Sequence, residues 1–398
     1  MLTDARVRSL RADTPGCAEL IHFNHAGASL SPRAVAEAVT RHLALESSRG
    51  PMEAAAVVAD LLSTIRHNAA NLIGAEPEDI AFGSSGSSVW GMVFAALPPL
   101  REGDRILVGR HEWGGNVATM QRAASRSGAR IEVIPCREDG SVDPDALAHM
   151  IDDTVRLISL TWLPANGGLI NDAEAVGKIA NAAGIPYLVD AGQALGQIPI
   201  DVAKIGCDML KSAGRKHLRG PRGTALLYIR PEFLHKLDPL FVDVSSAPLV
   251  NGTPFLRSDA RQFEMSETSV ALLMGLGEAI SLASELGVAA IRDRIGAVSA
   301  SLRDRLRHVP GVEVRDLGST YSGLVSFTVD GILASNVKIS LAEKGINIGA
   351  NGVSYTPYDM TARGLQEVAR ASVSYLNTED EIVQLVEAVE AIARMAKR

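Results

Sequence analysis

Between about residues 60 and 230, short apolar runs alternate with longer stretches in which apolar positions recur every three or four residues. The runs DRILVGR, RIEVIPC, VRLISLTWL, IPYLVDA and GTALLYI are rich in Val, Ile and Leu without strict alternation, which predicts buried strands. NVATMQRAASRSG, DPDALAHMI and DAEAVGKIANAAG lie between them with helical periodicity, and the first and last stop on glycine, as helices often do. This βαβ rhythm predicts an α/β fold, a mostly parallel sheet with helices on both faces. Beyond about residue 255 the pattern changes. A long helical region, SVALLMGLGEAISLASELG onward, leads to strands around GVEVRDL and YSGLVSFTVDG, then to an amphipathic helix opened by a capping box, Thr378 to Glu381. The pattern predicts a large α/β domain over residues 15–255 and a smaller α+β domain over 256–398, with residues 1–14 as an N-terminal arm.

Composition narrows the class. The 398 residues carry a formal net charge of -7 with scattered charges, which argues against a nucleic-acid footprint. Cys17, Cys136 and Cys207 are odd in number and far apart, so a disulfide framework is not expected and a reducing compartment is. No apolar run approaches the roughly 20 residues of a membrane span. The N-terminal MLTDARVRSLRADTPGC lacks the apolar centre of a signal peptide. The expectation is a soluble cytoplasmic protein.

Against this acidic background, SAGRKHLRGPRG (residues 212–223) gathers Arg215, Lys216, His217, Arg219 and Arg222. Such a cluster is either a surface patch or a pocket for one anion. In open α/β sheets, ligands sit at the carboxyl ends of strands, and several unusual residues fall there. Asp190 ends the strand IPYLVD and precedes Gln193; it is either a turn or helix cap or a buried carboxylate that keeps a ring nitrogen protonated. Lys216 is read at the end of another strand, CDMLKSAGRK. It is either a surface lysine or, if buried beside Arg215, an amine of lowered pKa able to attack an aldehyde.

AFGSSGSSVWG places Ser85, Gly86 and Ser87 between a strand and a helix, where free N–H groups and hydroxyls suit a phosphate. The stretch matches neither the P-loop nor the dinucleotide pattern. Trp113, in GRHEWGGN, is either a core residue or a ring that stacks on a flat ligand. His22 with His25, or His111 with Glu112, have no third ligand at a sensible spacing, so no metal is expected. Ser85 is no nucleophile elbow, because Ser87 stands where the second glycine is needed. Phosphate cradle, stacking ring, buried carboxylate and strand-end lysine together describe pyridoxal 5'-phosphate.

Nearly the whole chain resembles class V aminotransferase-like enzymes of the fold-type I pyridoxal phosphate group, the clan of cysteine desulfurases, selenocysteine lyase and isopenicillin N epimerase. VDAGQALGQIPIDVAKIGCDMLKSAGRKHLRGPRGTALLYI is similar to that family's segment running from the strand aspartate to Gly-Pro-x-Gly. The resemblance implies that Asp190 pairs with the pyridine nitrogen, Gln193 with the phenolic oxygen, and Lys216 carries the cofactor as a Schiff base. Arg215 would take the place of a phosphate-binding histidine, Ser85, Gly86 and Ser87 would grip phosphate, and Trp113 would stack on the ring. VARASVSYLNTEDEI resembles the C-terminal Arg-x-Ser signature, which implies that Arg370 holds the substrate α-carboxylate. LPANGGLIND and FNHAGASLSP are similar to the family's substrate-side segments and imply that Asn166 and His25 approach the substrate. Arg219 and Arg222 are assigned to the turn and the dimer contact.

The departures from that pattern carry as much information. Ala213 replaces the phosphate-binding serine three residues before the lysine, leaving Ser212 or Arg215 to compensate. Desulfurases carry a nucleophilic cysteine on a loop of the C-terminal domain, and the matching stretch GINIGANGVSYTPYDM has none. Glu267 stands where many relatives place a threonine that reaches the partner subunit's phosphate; Ser266 precedes it. The resemblance thus implies a mostly parallel sheet of the seven-stranded type and a homodimeric enzyme acting on an amino acid as its small-molecule substrate, favoured as a C–S lyase that performs β-elimination on a cysteine S-conjugate. An aminotransferase, an epimerase and a non-catalytic cofactor-binding or interaction subunit are the alternatives.

Overall fold

The computed structural model describes residues 2–395. β1 (Ile21–Phe23) comes first. β2 (Ile80–Gly83), β3 (Arg105–Gly109), β4 (Arg130–Ile134), β5 (Val155–Thr161), β6 (Tyr187–Asp190), β7 (Met209–Lys211) and β8 (Ala225–Ile229) then build a seven-stranded sheet in the order β2-β8-β7-β6-β5-β3-β4. The five strands from β7 to β4 run parallel, and β8 is antiparallel to both its neighbours. A short hairpin, β9 (Leu249–Val250) and β10 (Thr253–Pro254), follows. β11 (Val312–Val314), β12 (Leu324–Val329), β13 (Ile346–Gly352) and β14 (Glu367–Ser372) form a second sheet in the order β1-β13-β14-β12-β11.

The predicted strands and helices of the large sheet are all present. The helices Gly114–Ser127 and Ala173–Ala183 stop at Gly128 and Gly184, whose φ angles of 77° and 67° are the left-handed conformation that glycine adopts without penalty. β5, β6 and β8 are buried almost throughout, consistent with a parallel sheet covered on both faces. The capping box holds: Thr378 Oγ1 accepts from Glu381 N–H at 3.3 Å and Glu381 Oε2 from Thr378 N–H at 3.1 Å. Among the described residues, no single helix is long and apolar enough to cross a membrane.

Two features differ from the expected division at residues 15–255 and 256–398. β1 lies inside the N-terminal span, yet it pairs in parallel with β13, Ile21 opposite Ile346 and Phe23 opposite Ile348. Three residues are too few to show a sheet preference by pattern, and β1 joins the C-terminal sheet because a partner strand lies there. In the other direction, the helix Val270–Leu286 packs against the helices Arg33–Arg49 and Ala59–Ile73. A Cβ on Gly275 would sit 2.7 Å from Val39, and one on Gly277 would sit 2.5 Å from Ile65. The N-terminal segment and this helix therefore tie the two sheets together.

Candidate active site

A cavity of about 520 Å³ opens at the carboxyl ends of β6 and β7 and is closed on its other side by β13 and β14. Lys211, Arg215, Lys216, Arg222, Lys338 and Arg370 contribute to its wall, against a single carboxylate, Asp190. That imbalance suits an anionic ligand. The cation cluster of residues 212–223 is thus a pocket rather than a surface patch.

Register explains the position of Asp190. β5, β6 and β7 place Thr161, Asp190 and Lys211 side by side, and neighbouring residues in register project to the same face. Asp190 is buried. Its Oδ1 accepts from Gly192 N–H at 2.9 Å, and its Oδ2 accepts from Asn116 Nδ2 at 2.9 Å and from Lys211 Nζ at 2.7 Å. Burial pushes its carboxyl pKa up, but the Lys211 and Lys216 cations and these hydrogen bonds outweigh that, so it stays below the usual value and ionised.

Behind it lies a fully buried second carboxylate, Glu112. Its pKa is raised, first by burial and then by the charge of Asp190. Glu112 Oε1 accepts from Asn116 Nδ2 at 2.7 Å and Thr161 Oγ1 at 2.7 Å, while Oε2 accepts from Ser159 Oγ at 3.1 Å. The same network holds the Trp113 backbone N–H.

Lys216 sits beyond the end of β7 rather than at the end of a strand, because the strand stops at Lys211. A turn carries it: Arg219 N–H donates to Lys216 O at 2.9 Å, and Arg219 adopts a φ of 67°, unusual for a side-chain-bearing residue. The buried Arg219 guanidinium holds that conformation by donating to Leu30 O, Tyr375 Oη at 2.7 Å and Thr14 Oγ1 at 2.6 Å. Arg219 belongs to the turn as expected, whereas Arg222 lines the cavity. Burial, the Lys211 cation and other neighbouring charges bring the Lys216 pKa down to about 7, so much of the amine is neutral at that pH.

Ser85 caps the helix Gly86–Ala95, its Oγ accepting from Ser88 N–H at 3.0 Å. The N–H groups of Gly86 and Ser87 have no carbonyl one turn earlier, and both residues line the cavity with Ser84 and Ser85. A Cβ on Gly86 would lie 3.2 Å from Ser212 O and 3.4 Å from Lys211 Nζ, so glycine keeps this wall open. Ser212 does not compensate for Ala213: its hydroxyl is buried and donates to Ala191 O at 3.2 Å. Arg215 lines the cavity and donates to Gly27 O.

Trp113 and Tyr355 meet edge to face at the rim, their ring centroids 5.4 Å apart. Gln193 lines the cavity, donating Nε2–H to Ala26 O at 3.2 Å while its buried Oε1 has no partner. Arg370, on β14, is buried with Nη1 on Ala165 O at 2.8 Å and Nη2 on Asn24 Oδ1 at 3.1 Å, and its Nε is unpaired. Among the described residues it faces no carboxylate, and burial lowers its pKa to about 10.

Two expected substrate residues do not line the cavity. His25 is buried against Ser29 Oγ at 3.0 Å, and its neighbours Asn24 and Ala26 face the cavity instead. Asn166 spends its amide on Thr356 Oγ1 at 3.0 Å and Asn351 Nδ2 at 2.8 Å, and Ala165 and Asn351 line the wall in its place. Single-residue offsets of this kind reverse which side of a loop faces the ligand. Lys211 and Asn116 escaped the sequence reading, and Glu112 was weighed there only as a metal ligand beside His111. β7 is only three residues long and Lys211 is its last, so no periodicity marked it.

The family model for class-V aminotransferases matches residues 21–385. The chain belongs to the class-V aminotransferase family. That family consists of pyridoxal phosphate-dependent enzymes. A probable cysteine desulfurase of Methanothermobacter thermautotrophicus is 28% identical, over 98% of this chain and 99% of its own. A cysteine desulfurase of Cronobacter sakazakii is 27% identical, over 94% of each. The fold matches that of the apo cysteine desulfurase of Thermococcus onnurineus, with a TM-score of 0.90, 24% identity and 98% of each chain covered. It also matches the cystine C–S lyase C-DES in complex with cysteine persulfide, with a TM-score of 0.86, 24% identity, and 95% of this chain and 99% of that one covered. The residues present fit the family's cofactor: a glycine-opened helix end for phosphate, an ionised buried carboxylate, an unpaired buried amide oxygen on Gln193 and a half-buried lysine of lowered pKa.

Asp190→Asn keeps the shape and removes the charge. A charge-assisted hydrogen bond contributes about 1.5–3 kcal/mol, so the dissociation constant for pyridoxal phosphate, measured by equilibrium dialysis, should rise about tenfold or more. Unchanged affinity would remove Asp190 from cofactor binding.

Proposed function

We propose that the chain is a C–S lyase that uses pyridoxal phosphate to eliminate a sulfur group from the β-carbon of a cysteine S-conjugate or of cystine. The observation that carries this reading is the cavity wall built by Gly349, Ala350, Asn351 and Tyr355, in the stretch where a desulfurase would present its cysteine. No thiol stands there. Residues 346–352 are strand β13, locked to β14 with Gly349 opposite Arg370, not a free loop. Cys17, Cys136 and Cys207 do not line the cavity, and burial raises the pKa of all three, which keeps them as unreactive thiols. The relatives named cysteine desulfurase and the fold shared with a cystine C–S lyase support a sulfur amino acid as substrate.

The residues of this chain divide the work. Arg370 would pair with the substrate α-carboxylate through its planar guanidinium, already oriented by Ala165 O and Asn24 and lacking an anion of its own. Gly349 leaves room for it: a Cβ there would come 3.0 Å from Arg370 Nη2. Lys216, partly neutral near pH 7, would accept the α-proton. The bound cofactor supplies an electron sink conjugated to the α-carbon, and Asp190 would hold negative charge against its ring nitrogen. Trp113 and Tyr355 would cover the site and exclude water. When the β-carbon–sulfur bond breaks, its electron pair leaves with sulfur, a proton completes the thiol or persulfide, and hydrolysis of the remaining enamine yields pyruvate and ammonia.

We also infer a homodimer. Leu240, Phe241, Val244, Leu249 and Phe255 are each more than half exposed, in one segment around the β9–β10 hairpin, and Met52 and Val57 are exposed on the N-terminal helices. Ser266 and Glu267 lie in the exposed turn nearby, with Ser266 held by Asp243. An apolar surface of this kind marks an interface. Sedimentation equilibrium should return twice the chain mass at micromolar concentration; a monomer would contradict the inference. The reading further places the enzyme in the reducing cytoplasm, in keeping with its three free cysteines.

The reaction is tested by its products. Incubated with cystine and cysteine S-conjugates, the cofactor-loaded protein should release pyruvate and ammonia in equal amounts, and replacement of all three cysteines by alanine should leave the rate within about threefold. Alanine as product, with a persulfide on one of those cysteines, would restore the desulfurase reading, and a keto acid that retains the sulfur would indicate transamination.

A further inference from the structure

Beside Lys216 the cavity holds a second amine, this one buried, that the reaction described above does not use. Lys211 is only 5% exposed and lies on β7 directly beside Asp190 on β6. Its Nζ is 2.7 Å from Asp190 Oδ2. Lys216 approaches the same carboxylate from the turn above: a Cβ on Gly192 would stand 2.9 Å from Asp190 Oδ1 and 3.5 Å from the Nζ of each lysine. The two nitrogens are therefore separated by at most twice that distance. Two cations that close, out of water, cannot both stay charged without cost, and one carboxylate serves both.

The geometry decides which lysine takes the carboxylate. Lys211 makes the direct ion pair, while Lys216 makes none among the described residues. A carboxylate has about four lone-pair sites. Gly192 N–H, Asn116 Nδ2 and Lys211 Nζ take three of those on Asp190, which leaves about one for a ligand's ring nitrogen. The charged groups facing Lys216 are Lys211 from β7, Asp190 from β6, Arg215 from its own turn and Arg370 from β14; Glu112 stands behind Asp190. Asp190 alone among the four acting on Lys216 favours the ammonium form, and Lys211 already occupies it.

We propose that Lys211 is a positioning residue that holds the Asp190 carboxylate as its own counter-ion and so keeps Lys216 a neutral amine, ready to capture the cofactor. The proposal rests on the cofactor reading of this site. It assigns the two lysines different tasks: Lys216 is the nucleophile, and Lys211 is the fixed charge that makes it one. The lowered pKa of Lys216, with Lys211 as its main cause after burial, agrees with that division. Loss of Lys211 would act twice in one direction, removing a neighbouring cation and freeing Asp190 to pair with Lys216, and both raise the Lys216 pKa.

Trace acetylation of the cofactor-free protein with acetic anhydride across a pH series tests this, with the labelling of Lys216 read by peptide mass. Amines react only when neutral, so the midpoint of labelling reports the Lys216 pKa. In the unaltered chain the midpoint should fall near 7. In Lys211→Met, which keeps the length and loses the charge, it should rise by about one pH unit or more. Lys211→Arg, which keeps the charge, should stay close to the unaltered value. Circular dichroism confirms folding, and Lys211→Gln replaces Lys211→Met if the latter does not fold. A midpoint unmoved in the neutral variant, or moved equally in Lys211→Arg, would reduce Lys211 to a structural ion pair. The labelling needs neither cofactor nor substrate, so its failure would leave the proposed reaction standing, and failure of that reaction would leave this midpoint readable.

Discussion

The site depends on one buried carboxylate. Among the described residues, Asp190 is the only acid in a wall of six cations, and it is out of water. A lone ionised carboxylate in such a place would carry a large desolvation penalty, and here it survives because β7 supplies Lys211 in register and Asn116 and Gly192 donate from two further directions. Removing one partner of such a set leaves an uncompensated charge, which is why the surrounding residues form a connected unit rather than a list of contacts. Glu112 extends that unit to Trp113, so the charge that would face the cofactor's ring and the backbone of the aromatic residue at the rim are held by the same hydrogen bonds.

The two sheets contribute differently. The parallel sheet delivers Asp190, Lys211 and the turn bearing Lys216, with Gly86 opening a helix end toward them. The second sheet delivers Arg370 and Gly349 from paired strands, and it is anchored to the first by β1 and by the long helix Val270–Leu286. The residues proposed to hold the cofactor and those proposed to hold the substrate carboxylate thus come from separate sheets. The stretch that a desulfurase uses to carry a reactive thiol is part of that rigid frame, and its short turn after β13 brings Tyr355 against Trp113.

Much of this was legible in the residues themselves. Buried parallel strands have a continuous apolar signature, so the large sheet could be read directly, and Asp190 and Lys216 stood out because charged residues at such places need a reason. Arg370 and the Ser85–Ser87 turn were carried by motif spacing. The rest depended on contacts distant in sequence. A three-residue strand such as β1 has no periodicity, and its membership in the second sheet follows only from the partner it finds. Lys211 reads as an ordinary lysine until register sets it beside Asp190. The segments holding His25 and Asn166 border the cavity, but their neighbours Asn24, Ala26 and Ala165 face it, since a motif fixes a segment and not the rotation of its backbone. Arg219 and Arg222 look alike in sequence, yet a φ of 67° sends the first into the core while the second lines the cavity.

Two lysines face one carboxylate, Lys211 buried and Lys216 half-buried, and they have separate tasks. Reduction of the cofactor-loaded protein with borohydride, followed by peptide mapping, measures which of them bonds to pyridoxal phosphate. The account predicts a pyridoxyl group on Lys216 and none on Lys211. A pyridoxyl group on Lys211 would contradict it, because the lysine held as the counter-ion of Asp190 would then be the one that reacts.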